Sequence, residues 1–194
     1  MANEIVFTDQ QFVNILTDIA DNYPTHYDNI PYYNCGYYNG TDYSFDCWNL
    51  IKSVIWGWYP STTVGYYCYN PGLHGLGDLN GVQLLAECSG VSSDFTDINF
   101  AEYLYLHDTI DHAGIYIGDQ TINGRIVNVV EATPIWNDGV QYSYVDGSGT
   151  RYQYLGGGAA GVWTAHGKLP WISYGGAPIT RKHLPIWMML RYHF

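Results

Sequence analysis

At 194 residues and 47% hydrophobic content, the chain is long enough to bury one sizeable core, and disorder is excluded as its default state. Only 13% of its residues are charged and the net charge is −11, which excludes the basic footprint that nucleic-acid binding requires. The charge is also uneven. Residues 1–146 hold all 18 acidic groups, with Lys52 and Arg125 as their only strong bases, whereas 147–194 hold five bases (Arg151, Lys168, Arg181, Lys182, Arg191) and no acid. The basic segment suits docking on the acidic body of the same domain, the preferred expectation, or on an anionic surface such as a cell wall.

The stretch from Met1 to Phe7 has neither a basic n-region nor a long apolar run, so no secretory signal is expected. No apolar run approaches the ~20 residues of a membrane span. Synthesis in the cytoplasm without a signal peptide is the expectation. Thr8 with Gln11 forms a capping box ahead of Phe12, Ile15, Leu16 and Ile19, which repeat at helical spacing. Residues 23–42 are rich in turn formers and aromatics. A second helix is predicted from about Asp46 to Trp58, with Leu50, Ile51, Val54, Ile55 and Trp58 as its apolar stripe and Gly57 and Pro60 as stop signals. Val82 to Cys88 reads as a short helix.

Strand patterns follow at His112–Gly118, Ile126–Ala132 and Val140–Val145, separated by turns containing Gly124 and Asn137-Asp138-Gly139. The run Leu184–Leu190 is apolar and is expected to pack on the sheet. Residues 1–194 therefore read as a single domain. The 20 Tyr and 7 Trp suit surfaces that hold sugars or peptides, since the ring stacks while the hydroxyl stays wet.

Of the four cysteines, Cys88 reads as a small buried hydrophobe and Cys35 and Cys68 are left undecided; no spacing suits zinc, so no metal or other cofactor is expected. Cys47 is different. Ser44 or Asp46 can cap the second helix, leaving Cys47 in a first turn whose free N–H groups favour an anion. Its thiol pKa is expected to fall from about 8.5 towards neutrality. His112 opens a strand, and an antiparallel hairpin in which facing residue numbers sum to about 243 sets it directly opposite Glu131. A carboxylate there would orient the imidazole and stabilise its protonated form. His107 lies close to that strand but not on it, His74 sits in a glycine-rich loop, and His26, His166, His183 and His193 lack an adjacent carboxylate pattern; all six read as structural or solvent-facing.

These residues carry a resemblance to the NlpC/P60 cysteine peptidases and the related CHAP amidases. The matching pieces are Phe45-Asp46-Cys47 before an amphipathic helix, His112-Ala113-Gly114-Ile115-Tyr116-Ile117-Gly118, and Val130-Glu131-Ala132-Thr133-Pro134 where the third catalytic member stands. They span residues 43–134, and Tyr33-Asn34-Cys35-Gly36 resembles the upstream Tyr-x-x-Gly element. The resemblance implies an α+β, papain-like NlpC/P60 fold with a nucleophile helix packed on an antiparallel sheet. It implies a single catalytic domain with a Cys47–His112–Glu131 triad, and Tyr33, Asp46 and Trp48 in substrate binding. The implied activity is cleavage of a peptidoglycan amide bond through a thioester, by an endopeptidase or an N-acetylmuramoyl-L-alanine amidase. The stem peptide is the partner, and the closest likeness is to phage lysins acting on the cell wall after release. Trp48 stands where many members have Ser, which departs from recognition of a free N-terminal L-Ala. Two other readings fit the residues: a cysteine peptidase or acyltransferase toxin effector with a non-wall substrate, and a non-catalytic glycan- or peptide-binding module.

Overall fold

A computed structural model describes residues 4–28, 36–64, 72–108 and 111–175. Tyr33, Cys35, Cys68, the bases Arg181, Lys182 and Arg191, His183, His193 and the run Leu184–Leu190 lie outside the described residues. The fold is mixed α+β. A short strand β1 (Phe7–Thr8) enters α1 (Asp9–Asn22), with the capping box in place: Thr8 Oγ1 accepts from the Gln11 N–H at 3.2 Å and Gln11 Oε1 accepts from the Thr8 N–H at 2.9 Å. Strands β2 (Thr25–Tyr27), β3 (Tyr37–Tyr38) and β4 (Tyr43–Phe45) form a small sheet in the order β2-β4-β3. Its central strand runs straight into α2 (Cys47–Ile55).

Helix α2 starts where the sequence places it and stops earlier, at Ile55, because Gly57 adopts a φ of +84° that continues no helix. All its residues except Trp48 are buried, so this is an interior helix rather than a surface one. Leu50, Ile51, Val54 and Ile55 each contribute roughly 1.5–3 kcal/mol by leaving water. A third helix, α3 (Gly81–Glu87), follows.

The main sheet is built from β5 (Ser89–Ser92), β6 (Tyr103–Leu106), β7 (His112–Ile122), β8 (Arg125–Thr133), β9 (Gly139–Val145), β10 (Thr150–Tyr152), β11 (Ala159–Val162) and β12 (Ala165–Lys168). Its order is β11-β10-β9-β8-β7-β6-β12-β5, and every neighbouring pair is antiparallel. A last strand, β13 (Ile172–Ser173), pairs in parallel with β1 and joins the two described ends. Side-chain alternation divides the sheet. Ala113, Ile115, Ile117, Val130 and Ala132 join α1 and α2 in the larger core, while Leu104, Leu106, Val129 and Val145 pack with Phe95 and Trp163 in a smaller one.

Strands β7 and β8 are longer than the sequence pattern suggests, because they meet in a tight turn at Asn123-Gly124, both with positive φ. The register also differs from the expected one. Near the turn Ile122 faces Arg125, but between Tyr116 and Gln120 strand β7 takes up two extra residues, with Gly118 at φ +70°. Beyond that bulge Tyr116 faces Val129 and Ile115 faces Val130.

Candidate active site

Asp46 is the residue that caps α2. Its carboxylate accepts from the Asn49 backbone N–H at 2.8 Å and from the Asn49 side-chain amide. Cys47 is therefore the first helical residue, and it is 1% exposed. Burial is the main force on its thiol and pushes the pKa up, and the Asp46 charge adds to the rise; backbone N–H groups of Ala113 and Trp48 act the other way and are outweighed. This corrects the expectation of a near-neutral thiol. A helix start favours an anion, but desolvation and a capping carboxylate next to the sulfur favour the neutral form more.

The Ala113 N–H belongs to the residue after His112, so the start of α2 and the start of β7 converge. His112 is half-buried, stacks on Trp163 with centroids 5.4 Å apart, and bonds through Nε2 to the Glu131 carboxylate. The two do not face each other directly, as the sequence reading had them. Continuing the observed register sets Gly114 opposite Glu131 and leaves His112 on the diagonal, two residues away. An offset of two keeps both side chains on one face. A Cβ at Gly114 would crowd Val129 at 3.0 Å and Trp163, the ring on which His112 stacks, at 3.1 Å.

Glu131 is fully buried, and Arg151 from β10 grips it with both faces of its fork, Nε to Oε1 at 2.9 Å and a terminal nitrogen to Oε2 at 2.7 Å. The same guanidinium bonds Thr133 Oγ1 at 3.1 Å and the Ala160 carbonyl at 3.2 Å, and lies over the Trp136 ring at 4.7 Å. Burial alone would raise the Glu131 pKa; the Arg151 charge, then His112, reverse this and hold it at about 2. An ionised carboxylate only accepts, so His112 Nε2 donates to Glu131.

No family model, curated protein or solved structure matches this chain. The chemistry of the cluster therefore rests on its own groups: a neutral thiol, an imidazole of fixed tautomer and an ion pair behind it.

Three further residues belong to the cluster and carry no sequence signal of their own. Arg151 was visible only as one base of a basic segment, and its partner lies 20 positions upstream. Trp163 supplies the face on which His112 rests. Tyr27 in β2 pairs with Phe45, just ahead of the cap, and burial followed by the charges of Cys47, Asp46 and Asp28 pushes its pKa upward. Trp48 is half-buried, and Gly81 leaves room for it beside Tyr105: a Cβ on Gly81 would come within 3.2 Å of both rings.

Several histidines hold carboxylates after all, brought from distant positions. His26 Nδ1 meets Asp42 at 2.6 Å, with Nε2 on Ser44 Oγ at 3.0 Å; buried His166 meets Glu102 at 2.6 Å and Asp97 at 3.1 Å; His74 meets Glu4 at 3.0 Å. His166 thereby ties the segment ahead of β6 to β12, and His26 links β2 to β4 within the small sheet. His107 is exposed and pairs with Asp111 at 2.8 Å. Cys88 is half-buried, with its thiol on the Leu84 carbonyl at 3.3 Å and burial pushing its pKa up to about 12.

Proposed function

We propose that the chain is a cysteine-dependent hydrolase that cleaves an amide bond of peptidoglycan, on a papain-like scaffold of the NlpC/P60 kind. The observation that supports this most is the meeting of the Cys47 sulfur with the Ala113 N–H, one residue from an imidazole whose Nε2 is held by an ionised, buried carboxylate. Because the resting thiol is neutral, its proton leaves as attack proceeds. His112 Nδ1 takes that proton while the sulfur bonds to the carbonyl carbon. The oxyanion is met by the Cys47 backbone N–H at the start of α2, with the Tyr27 hydroxyl as a further donor. Collapse breaks the C–N bond, His112 returns the proton to the leaving amine, and a thioester remains. Water then attacks the thioester with His112 as base, giving a carboxylic acid and the free thiol.

The substrate class follows from the resemblance: a stem peptide of the cell wall, cut by an endopeptidase or an N-acetylmuramoyl-L-alanine amidase of phage-lysin type that acts after release. Trp48 in place of a small hydroxyl residue disfavours a subsite for a free N-terminal amine. Purified sacculi incubated with the protein test this. New amines on stem peptides identify an endopeptidase and freed lactyl groups an amidase. Cys47→Ala and His112→Ala should abolish release, and Glu131→Gln should leave a slow residual rate. Full activity in His112→Ala would remove the proposed base.

One observation favours a second reading. A sulfur that is 1% exposed and held protonated suits a glycan- or peptide-binding module with an inert Cys–His pair. Wild-type protein that sediments with sacculi and releases no fragment would establish that reading instead.

A further inference from the structure

A cleft runs along α1, and none of Cys47, His112 and Glu131 lines it. One cavity of about 520 Å³ is bounded by the last turn of α1, the β7–β8 turn and β9; a second of about 270 Å³ continues along α1. Asp21, Ile122 and Tyr142 line both, so the two form one elongated depression. Helix α1 buries Phe12, Ile15, Leu16 and Ile19 and turns the adjacent stripe, Gln10, Asn14, Thr17 and Asp21, into the cleft.

The lining is unusual for this chain. Seven of its nineteen residues are Asn or Gln, and only Asp21 and Arg125 are charged, in a protein with 18 acidic groups. The walls are also set in advance. The Arg125 guanidinium lies 4.3 Å over the Tyr154 ring, and the Tyr142 hydroxyl donates to Asp21 at 2.9 Å.

Gln141 spends its amide on Thr133 and Asn137, and Gln10 donates to Asn14. The other side-chain amides of the lining present a donor and an acceptor in one plane, which matches paired hydroxyls and acetamido groups, and a tyrosine face suits the C–H surface of a sugar ring. A polyanion is not matched by one guanidinium that shares the cleft with a carboxylate. A peptide cannot add here as a further strand, because β7, β8 and β9 are each paired on both sides. We propose that this cleft binds a neutral oligosaccharide bearing acetamido groups. The proposal goes beyond the hydrolase reading and needs no role for Cys47. Where that reading holds, the cleft would keep the sugar chain of the wall polymer in place while its peptide is cut.

Titration of the whole chain with the β-1,4-linked tetramer of N-acetylglucosamine, followed by calorimetry and by amide shifts, tests it. The expected Kd is about 0.1–1 mM. Tyr154→Ala and Asn14→Ala, one in each cavity, should each weaken binding about tenfold, and Cys47→Ala should leave it unchanged. Asn14 is exposed on α1, where Ala has the higher helix propensity, so that variant folds. No binding at about 10 mM, or unchanged affinity in both cleft variants, overturns the proposal. So does a stem tetrapeptide that displaces the tetramer from the cleft. Sugar binding by a protein that leaves sacculi uncut would sink the hydrolase and spare the cleft.

Discussion

Two carboxylates flank the Cys47 sulfur, Asp46 from the helix side and Glu131 from the sheet side, and they ionise in opposite senses. Both are buried, at 2% and 0% exposure. Burial pushes Asp46 up to about 6, because the two Asn49 donors and the more remote Lys52 do not offset it; Lys52 is itself committed to Asp78 at 2.5 Å. Glu131 suffers at least the same desolvation and is held at about 2, because a guanidinium touches both of its oxygens. A contacting cation, not depth, decides which acid stays charged. The consequence falls on His112, which is oriented by a carboxylate that cannot take up its proton near neutral pH.

The largest expected effect comes from removing that cation. Arg151→Met strands a buried charge and should cost about 3–5 kcal/mol in urea unfolding, whereas adding Glu131→Gln should restore most of the loss. A single-variant cost under about 1 kcal/mol would mean that Arg151 does not hold Glu131.

Acid titration sharpens the contrast. Folding lowers the Glu131 pKa from 4.5 to about 2, so its stabilisation is complete above pH 4.5 and is lost as pH falls towards 2, roughly 3 kcal/mol in all. Asp46 works in reverse: folding raises it from 3.8 to about 6, so its ionisation lowers stability as pH rises through that range. Below pH 3.8 only the Glu131 contribution remains of the two. Wild-type stability should therefore fall steeply between pH 3.8 and 2, and more shallowly in the Glu131→Gln/Arg151→Met double variant. Equal slopes would contradict the assignment.

What the sequence disclosed follows the range of the interactions. The Thr8–Gln11 capping box, the Asp46 cap and the apolar stripe of α2 are local, and each stands where the pattern put it. The β7–β8 hairpin was legible in its existence and in the face shared by His112 and Glu131. Its register was not, because a two-residue bulge at Gly118 leaves no periodic trace. Strands β10 to β12 carry no strand signal in the sequence because they are three or four residues long and rich in Gly, Ala and polar residues. The depth of Cys47 was illegible for a different reason. A helix start is written in a few residues, whereas burial depends on β7 and β8 packing against it from more than 60 positions away.

The smallest change in stability and the clearest change in chemistry should come from Asp46→Asn. Asn is as good a helix cap as Asp and keeps the acceptor for the Asn49 N–H, so stability should move by about 1 kcal/mol or less. Asn49 can turn its amide so that Oδ1, which has no partner among the described residues, accepts from the new side chain. What disappears is the Asp46 charge, which adds to the rise that burial imposes on the Cys47 pKa. In the wild type the rate of iodoacetamide reaction at Cys47 should climb with pH and bend downward near pH 6, where Asp46 ionises and makes the thiolate harder to form. In Asp46→Asn the bend should vanish and the rate at pH 7 should exceed the wild-type rate. If the bend stays at pH 6 in the variant, another group titrates there, and the opposition between the two flanking carboxylates is not what sets the reactivity of this sulfur.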